Sequence, residues 1–140
     1  MWVIATTGFY SIVRKPGDEQ LCIRARVRKD LVDLKKTYLP KLGKIIDTKN
    51  SDYRYRAYAG ATDVGAALAI MAMDVDYANF KDEVKHRQGQ GRASVYMRIW
   101  TALLSLQPLR KYEKQGYLRG LSSDQIIRDD PWPDAPGGEI

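Results

Sequence analysis

Four arginines on two short runs carry the chemistry this chain most readily offers. Arg24 and Arg26 alternate with Ile23, Ala25 and Val27, and Arg54 and Arg56 alternate with Tyr53, Tyr55 and Ala57. A guanidinium is a fork of donors that matches phosphate, and aromatic or guanidinium planes can stack on bases. If the two runs are neighbouring strands, Arg24, Arg26, Arg54 and Arg56 share one sheet surface, with Tyr10 and Tyr58 beside them. The expected ligand is then nucleic acid. The alternative is a solvated face whose arginines pair with Asp18, Asp47 or Asp52.

Other residues support less. Asp74, Asp76, Asp82 and Glu83 include the Asp-X-Asp spacing of a hard-cation site. Residues two apart on a helix face different ways, however, and no third ligand follows at a recognisable spacing. His86, the only histidine, would suit a general base oriented by Glu83, yet within Lys85-His86-Arg87 it reads as an exposed polar residue. Cys22 shares a strand face with arginines, which would lower its pKa at close range; the plainer reading is inert packing. Tyr96 and Trp100 read as core or as a dimer face. No Ser/His/Asp set, P-loop or dinucleotide fingerprint is present. No catalytic residue, metal ligand or cofactor is therefore expected.

The elements that must position these residues follow from periodicity. Strict alternation predicts a half-buried strand over 20–27, with Leu21, Ile23, Ala25 and Val27 on one side and Cys22, Arg24, Arg26 and Arg28 on the other. Before it, residues 2–5 and 8–14 form a strand or pair of strands, broken near Thr6-Thr7-Gly8, and Pro16-Gly17-Asp18 turns the chain. Leu31, Leu34 and Tyr38 predict a helix over 30–38, with Asp30 at its start and Pro40 and Gly43 at its end. Strands at 44–47 and 53–59 come next. In the latter, Tyr53, Tyr55 and Ala57 share one face, and Arg54, Arg56 and Tyr58 the other. Helices follow at 63–75 (stripe Val64, Leu68, Met71, Val75), about 80–87, and 92–106 (stripe Val95, Ile99, Leu103, Leu106). Pro108 stops the last. Ser122-Ser123-Asp124-Gln125 has capping-box spacing, so a short helix is expected at 123–128. The acidic, proline-rich end should be extended or disordered.

The order ββαββαα with tight turns predicts an α+β two-layer sandwich, a mainly antiparallel sheet with helices on one face, ferredoxin-like in type. The alternative is an open mixed sheet with helices split between its faces. The 140 residues suit a single domain over 1–121, followed by the tail at 122–140. A hydrophobic content of 44% is ordinary for a folded soluble chain. The single cysteine, the absence of an apolar run of membrane-spanning length and the lack of a signal-peptide pattern point to the cytoplasm and no membrane partner. Net charge is +6, unevenly spread: residues 1–60 carry 13 Lys/Arg against 6 Asp/Glu, whereas residues 122–140 carry 1 against 5. A basic body of this kind attracts phosphate backbones or an acidic protein partner.

Four stretches also look alike to a known group. The opening Met1-Trp2-Val3-Ile4-Ala5-Thr6-Thr7-Gly8-Phe9-Tyr10-Ser11-Ile12-Val13 followed by Ile23-Arg24-Ala25-Arg26, the segment Asp52-Tyr53-Arg54-Tyr55-Arg56-Ala57 and Asp76-Tyr77-Ala78-Asn79-Phe80-Lys81, with Tyr96 and Trp100, resemble a family of small uncharacterised bacterial proteins, some carried on phage or mobile DNA. The resemblance covers about residues 1–106. That family has no assigned activity, so no catalytic residue is implied.

The expected function is a small non-enzymatic binding protein whose basic surface contacts nucleic acid or a nucleic-acid-handling complex. Two alternatives stand beside it: an accessory factor of phage or mobile-element type acting on another protein, and a small hydrolase using His86 with the nearby acids. An exposed sheet edge makes a homodimer a reasonable expectation.

Overall fold

Alternating side chains and short turns produce a five-stranded sheet. The computed structural model describes residues 1–106. Its strands are β1 (Trp2–Ala5), β2 (Gly8–Val13), β3 (Leu21–Ala25), β4 (Ile46–Asp47) and β5 (Tyr55–Ala59). Its helices are α1 (Arg28–Thr37), α2 (Ala61–Met73), α3 (Phe80–Gln88) and α4 (Gln90–Leu103), and a 3-10 turn follows at Leu104–Leu106. Every strand pairing is antiparallel, in the order β1-β2-β3-β5-β4. The chain therefore forms an α+β sandwich. The first strand region divides at Thr6-Thr7 into a hairpin, with Ile4 opposite Phe9 and Ala5 opposite Gly8.

One sheet face is the main core. Tyr10, Ile12, Ile23, Ala25, Ala57 and Ala59 pack against Leu31 and Leu34 of α1 and Val64 and Ala67 of α2. Tyr38, Leu39 and Leu42 close the same cluster beyond the end of α1. Ala57 and Ala59 have small side chains, which lets the helical layer approach the centre of the sheet. Ile23 is completely buried there. Burying a side chain of that size stabilises by about 1.5–3 kcal/mol.

A second, smaller core joins α3 to α4. Gly89 links them at φ 85 and ψ 167, a backbone conformation that L side chains rarely adopt. Val84, Ala93 and Tyr96 are buried together, with Ile4, Phe9, Phe80 and Ile99 packed against them. The Phe80 and Tyr96 rings stack with centroids 6.0 Å apart. Asn79 caps α3, its Oδ1 accepting from the Lys81 amide at 3.0 Å and the Asp82 amide at 3.4 Å.

Asp30 ties this hairpin to the sheet. Its carboxylate accepts from both terminal nitrogens of Arg92 at 3.0 and 2.8 Å and from the Phe9 amide at 3.1 Å. The Tyr10 hydroxyl donates toward the Asp30 carbonyl oxygen at 3.3 Å. Gly8 is needed where β2 passes the first turn of α1: a Cβ there would lie 2.7 Å from Asp30 Cβ. Gln88 Nε2 adds a bond to the Thr6 carbonyl.

Several expectations shift. β3 ends at Ala25, and Arg28 begins α1 instead of extending the alternation. Tyr53 precedes β5 and turns to the face opposite the core, so it does not share a side with Tyr55 and Ala57. The expected α4 stripe is rotated: Ala93 and Tyr96 are buried, while Val95, Leu103 and Leu106 are exposed. The small Ala93 permits close contact with α3, and that contact chooses the buried face. Val75 lies beyond α2 and is also exposed. The helix expected at 123–128 and the acidic tail lie outside the described residues. Among the described residues, no helix is long and apolar enough to cross a membrane.

Candidate nucleic-acid interface

β3 and β5 are neighbours, and their register sets Arg24 directly opposite Arg56. The same cross-strand row continues on both sides. Ser11 lies opposite Arg24, Trp2 opposite Ser11, and Ile46 opposite Arg56. Trp2, Ser11, Arg24, Arg56 and Ile46 thus cross all five strands on the face away from α1 and α2. Strand alternation alone puts them there, because Ile23 and Ala57 point into the core.

The two guanidinium groups rest on hydroxyls and a ring. Arg24 Nη2 donates to Ser11 Oγ at 2.8 Å, and Arg56 Nη2 donates to Ser51 Oγ at 2.8 Å. Arg56 also reaches the Tyr53 carbonyl oxygen at 3.4 Å. The Tyr53 ring is buried, with the Arg24 guanidinium 4.6 Å and that of Arg26 5.3 Å from its centroid. Phe9 packs beside Tyr53 at 6.2 Å and meets Trp2 edge-on at 5.6 Å. Trp2 itself is 68% exposed. Among the described residues, no carboxylate pairs with Arg24, Arg26 or Arg56. The Nε–H groups of Arg24 and Arg56 are buried without an acceptor. The result is a doubly cationic patch bounded by aromatic rings.

The six residues singled out by sequence do not all meet here. Arg24, Arg56 and Tyr58 share the face, and Arg26 joins it at the edge through the Tyr53 ring. Arg54 is committed elsewhere. Its Nε and Nη2 bond both oxygens of Asp47 at 2.9 Å, which holds Asp47 below the usual carboxylate range and raises Arg54. For Arg54, the pairing alternative with Asp47 is the one observed. Tyr58 lies opposite buried Cys22, whose thiol is the chief cause of an upward shift in the Tyr58 phenol. Tyr10 must be corrected. It shares the opposite face with Ile12 and is 1% exposed, and burial drives its phenol well above the ordinary value.

Sequence reasoning missed Trp2, Ser11, Ser51 and Tyr53. Trp2 and Ser11 were accessible: Phe9, Ser11 and Val13 alternate with Tyr10 and Ile12, and a two-residue hairpin fixes which β1 side chains join them. Ser51 and Tyr53 belong to the bend before β5, where no period applies.

The other candidates stay apart from this face. His86 is exposed on α3, and Glu83 pairs with Arg87 instead of orienting it. Asp74 ends α2, and Asp82 lies in the first turn of α3. Among the described residues, no three His, Cys, Asp or Glu side chains gather as metal ligands. No family model, curated protein or solved structure matches this chain.

Proposed function

We propose that this chain is a non-enzymatic nucleic-acid-binding protein that holds phosphate at Arg24 and Arg56, on the sheet face away from α1 and α2 and beside the α3–α4 hairpin. The observation that carries this reading is the direct opposition of two guanidinium groups that no described carboxylate neutralises. Like charges directly opposite on a sheet cost about 0.2–1 kcal/mol. The Tyr53 ring offsets part of that at Arg24 through a cation–π contact with the guanidinium 4.6 Å from the ring centroid. An anion bridging both forks would turn the repulsion into attraction. The excess of basic residues over 1–60 adds long-range attraction of the same sign.

Anisotropy of labelled oligonucleotides at low salt tests this. Arg24→Glu and Arg56→Glu each abolish micromolar binding, whereas Arg54→Glu leaves most of it because Arg54 is already spent on Asp47. Binding that survives both of the first two changes overturns the reading.

An accessory factor acting on another protein is the second reading, favoured by a different surface. A groove of about 280 Å³ runs along the α3–α4 hairpin, bordered by Ile4, Phe80, Met97 and Leu103. Leu103→Asp disrupts partner capture under that reading and leaves oligonucleotide binding intact.

A further inference from the structure

We propose that the ligand of the Arg24–Arg56 face is single-stranded nucleic acid, with a phosphate bridging the two arginines and a base stacked on Trp2. This rests on the nucleic-acid reading above and adds to it the form of the strand and the way it lies.

The shape of the face argues for a single strand. Five strands about 4.8 Å apart make a surface roughly 19 Å across. The major groove of a duplex is about 12 Å wide and admits a helix or a two-stranded ribbon, which this sheet exceeds. The arginines are also not raised above the surface. Both are half-buried, and Arg24 is drawn down by Ser11 and by the Tyr53 ring. A rigid duplex presents phosphates on a convex cylinder and cannot press one down between flanking rings. A single strand can, because its backbone turns freely and its bases splay outward.

The row supplies a place for a base. Trp2 lies two strands from Arg24, roughly 10 Å away at ordinary strand spacing. A phosphate at Arg24 and Arg56 therefore leaves a base of the same or the next nucleotide within reach of the indole. Phe9 meets Trp2 at 86° and braces its ring from one side. Stacking of this kind tolerates any base, since each has a π-face, so little sequence preference is expected. Tyr58, half-exposed on the same face and one row from Arg56, offers a second ring.

The test is competition of unlabelled single strands and duplexes of one sequence against a labelled single strand, with DNA and RNA arms, for the full chain and two Trp2 variants. Trp2 is an exposed position in the edge strand β1, so both variants should fold. Single strands of either sugar should compete about tenfold better than duplex. Trp2→Ala should lose about tenfold in affinity and Trp2→Phe should keep most of it, as expected for one stacked base. Duplex competing as well as single strand, or Trp2→Ala binding like the parent, overturns this inference and leaves phosphate binding at the arginine pair standing. Absence of binding to every nucleic acid overturns both.

Discussion

Asp30 shows how much one buried carboxylate can hold. It is 3% exposed, yet it joins Arg92, the Phe9 amide and, through its carbonyl, Tyr10. Burial pulls Arg92 downward, but the bond from Asp30 outweighs it and the guanidinium ends above its ordinary value. Removing one partner strands the other charge in a half-dry site. Asp30→Ala should therefore cost about 3–5 kcal/mol, read from urea unfolding. A loss under 1 kcal/mol would mean that the pair is solvated and that the hairpin is held by packing alone. The sequence places Asp30 at the start of a helix, which is where it lies, in the first turn of α1. It cannot announce that the side chain turns to a residue 62 positions later. Of the four arginines, the placement of Arg24 and Arg56 on one face was legible from alternation, with only the pairing of β3 with β5 left to the fold; Arg26 and Arg54 lie outside the paired strands, where alternation does not place them.

Between elements, the α3–α4 hairpin and the sheet differ in how they are held. The strands form a continuous ladder over a shared core, while the hairpin meets the body mainly through Asp30, the Gln88–Thr6 bond and the contacts of Ile4 and Phe9. Amide exchange should be faster in α3 and α4 than in β2 and β3. Asn79→Ala removes the acceptor of two amides and should cost about 1 kcal/mol, with the added exchange confined to α3. An increase spread evenly over the sheet would contradict two separately stabilised units. Helix existence was readable here from periodicity and breakers, but the buried face of α4 was not. Val95 and Leu103 are the more hydrophobic choice, and the fold buries Ala93 and Tyr96 because contact with α3 demands a small residue next to a ring.

Over the whole molecule, ionisation sets an upper pH limit. Tyr10, Tyr38 and Tyr96 are all raised above the ordinary 10.0, burial being the first cause in each. Each phenol stays protonated in the folded chain at a pH where the unfolded chain would ionise. Their stabilisation is complete below about pH 10 and is lost as pH rises through the folded values. Melting temperature should fall steeply above pH 10, and less steeply in Tyr10→Phe; an unchanged slope would place Tyr10 in contact with water. In the proposed function charge is organised at this scale too: a basic body would collect anions, and the Arg24–Arg56 row would give them one address. The most direct test of that claim is the salt dependence of oligonucleotide affinity, compared between the parent and the Arg24→Gln/Arg56→Gln double variant. Each phosphate contact contributes about 0.7 to the slope of log affinity against log salt for a single strand. The double variant should bind more weakly with a slope shallower by about 0.7, the share of the one bridging phosphate. An identical slope would mean that the phosphates lie elsewhere, and the Arg24–Arg56 row would lose its assigned role.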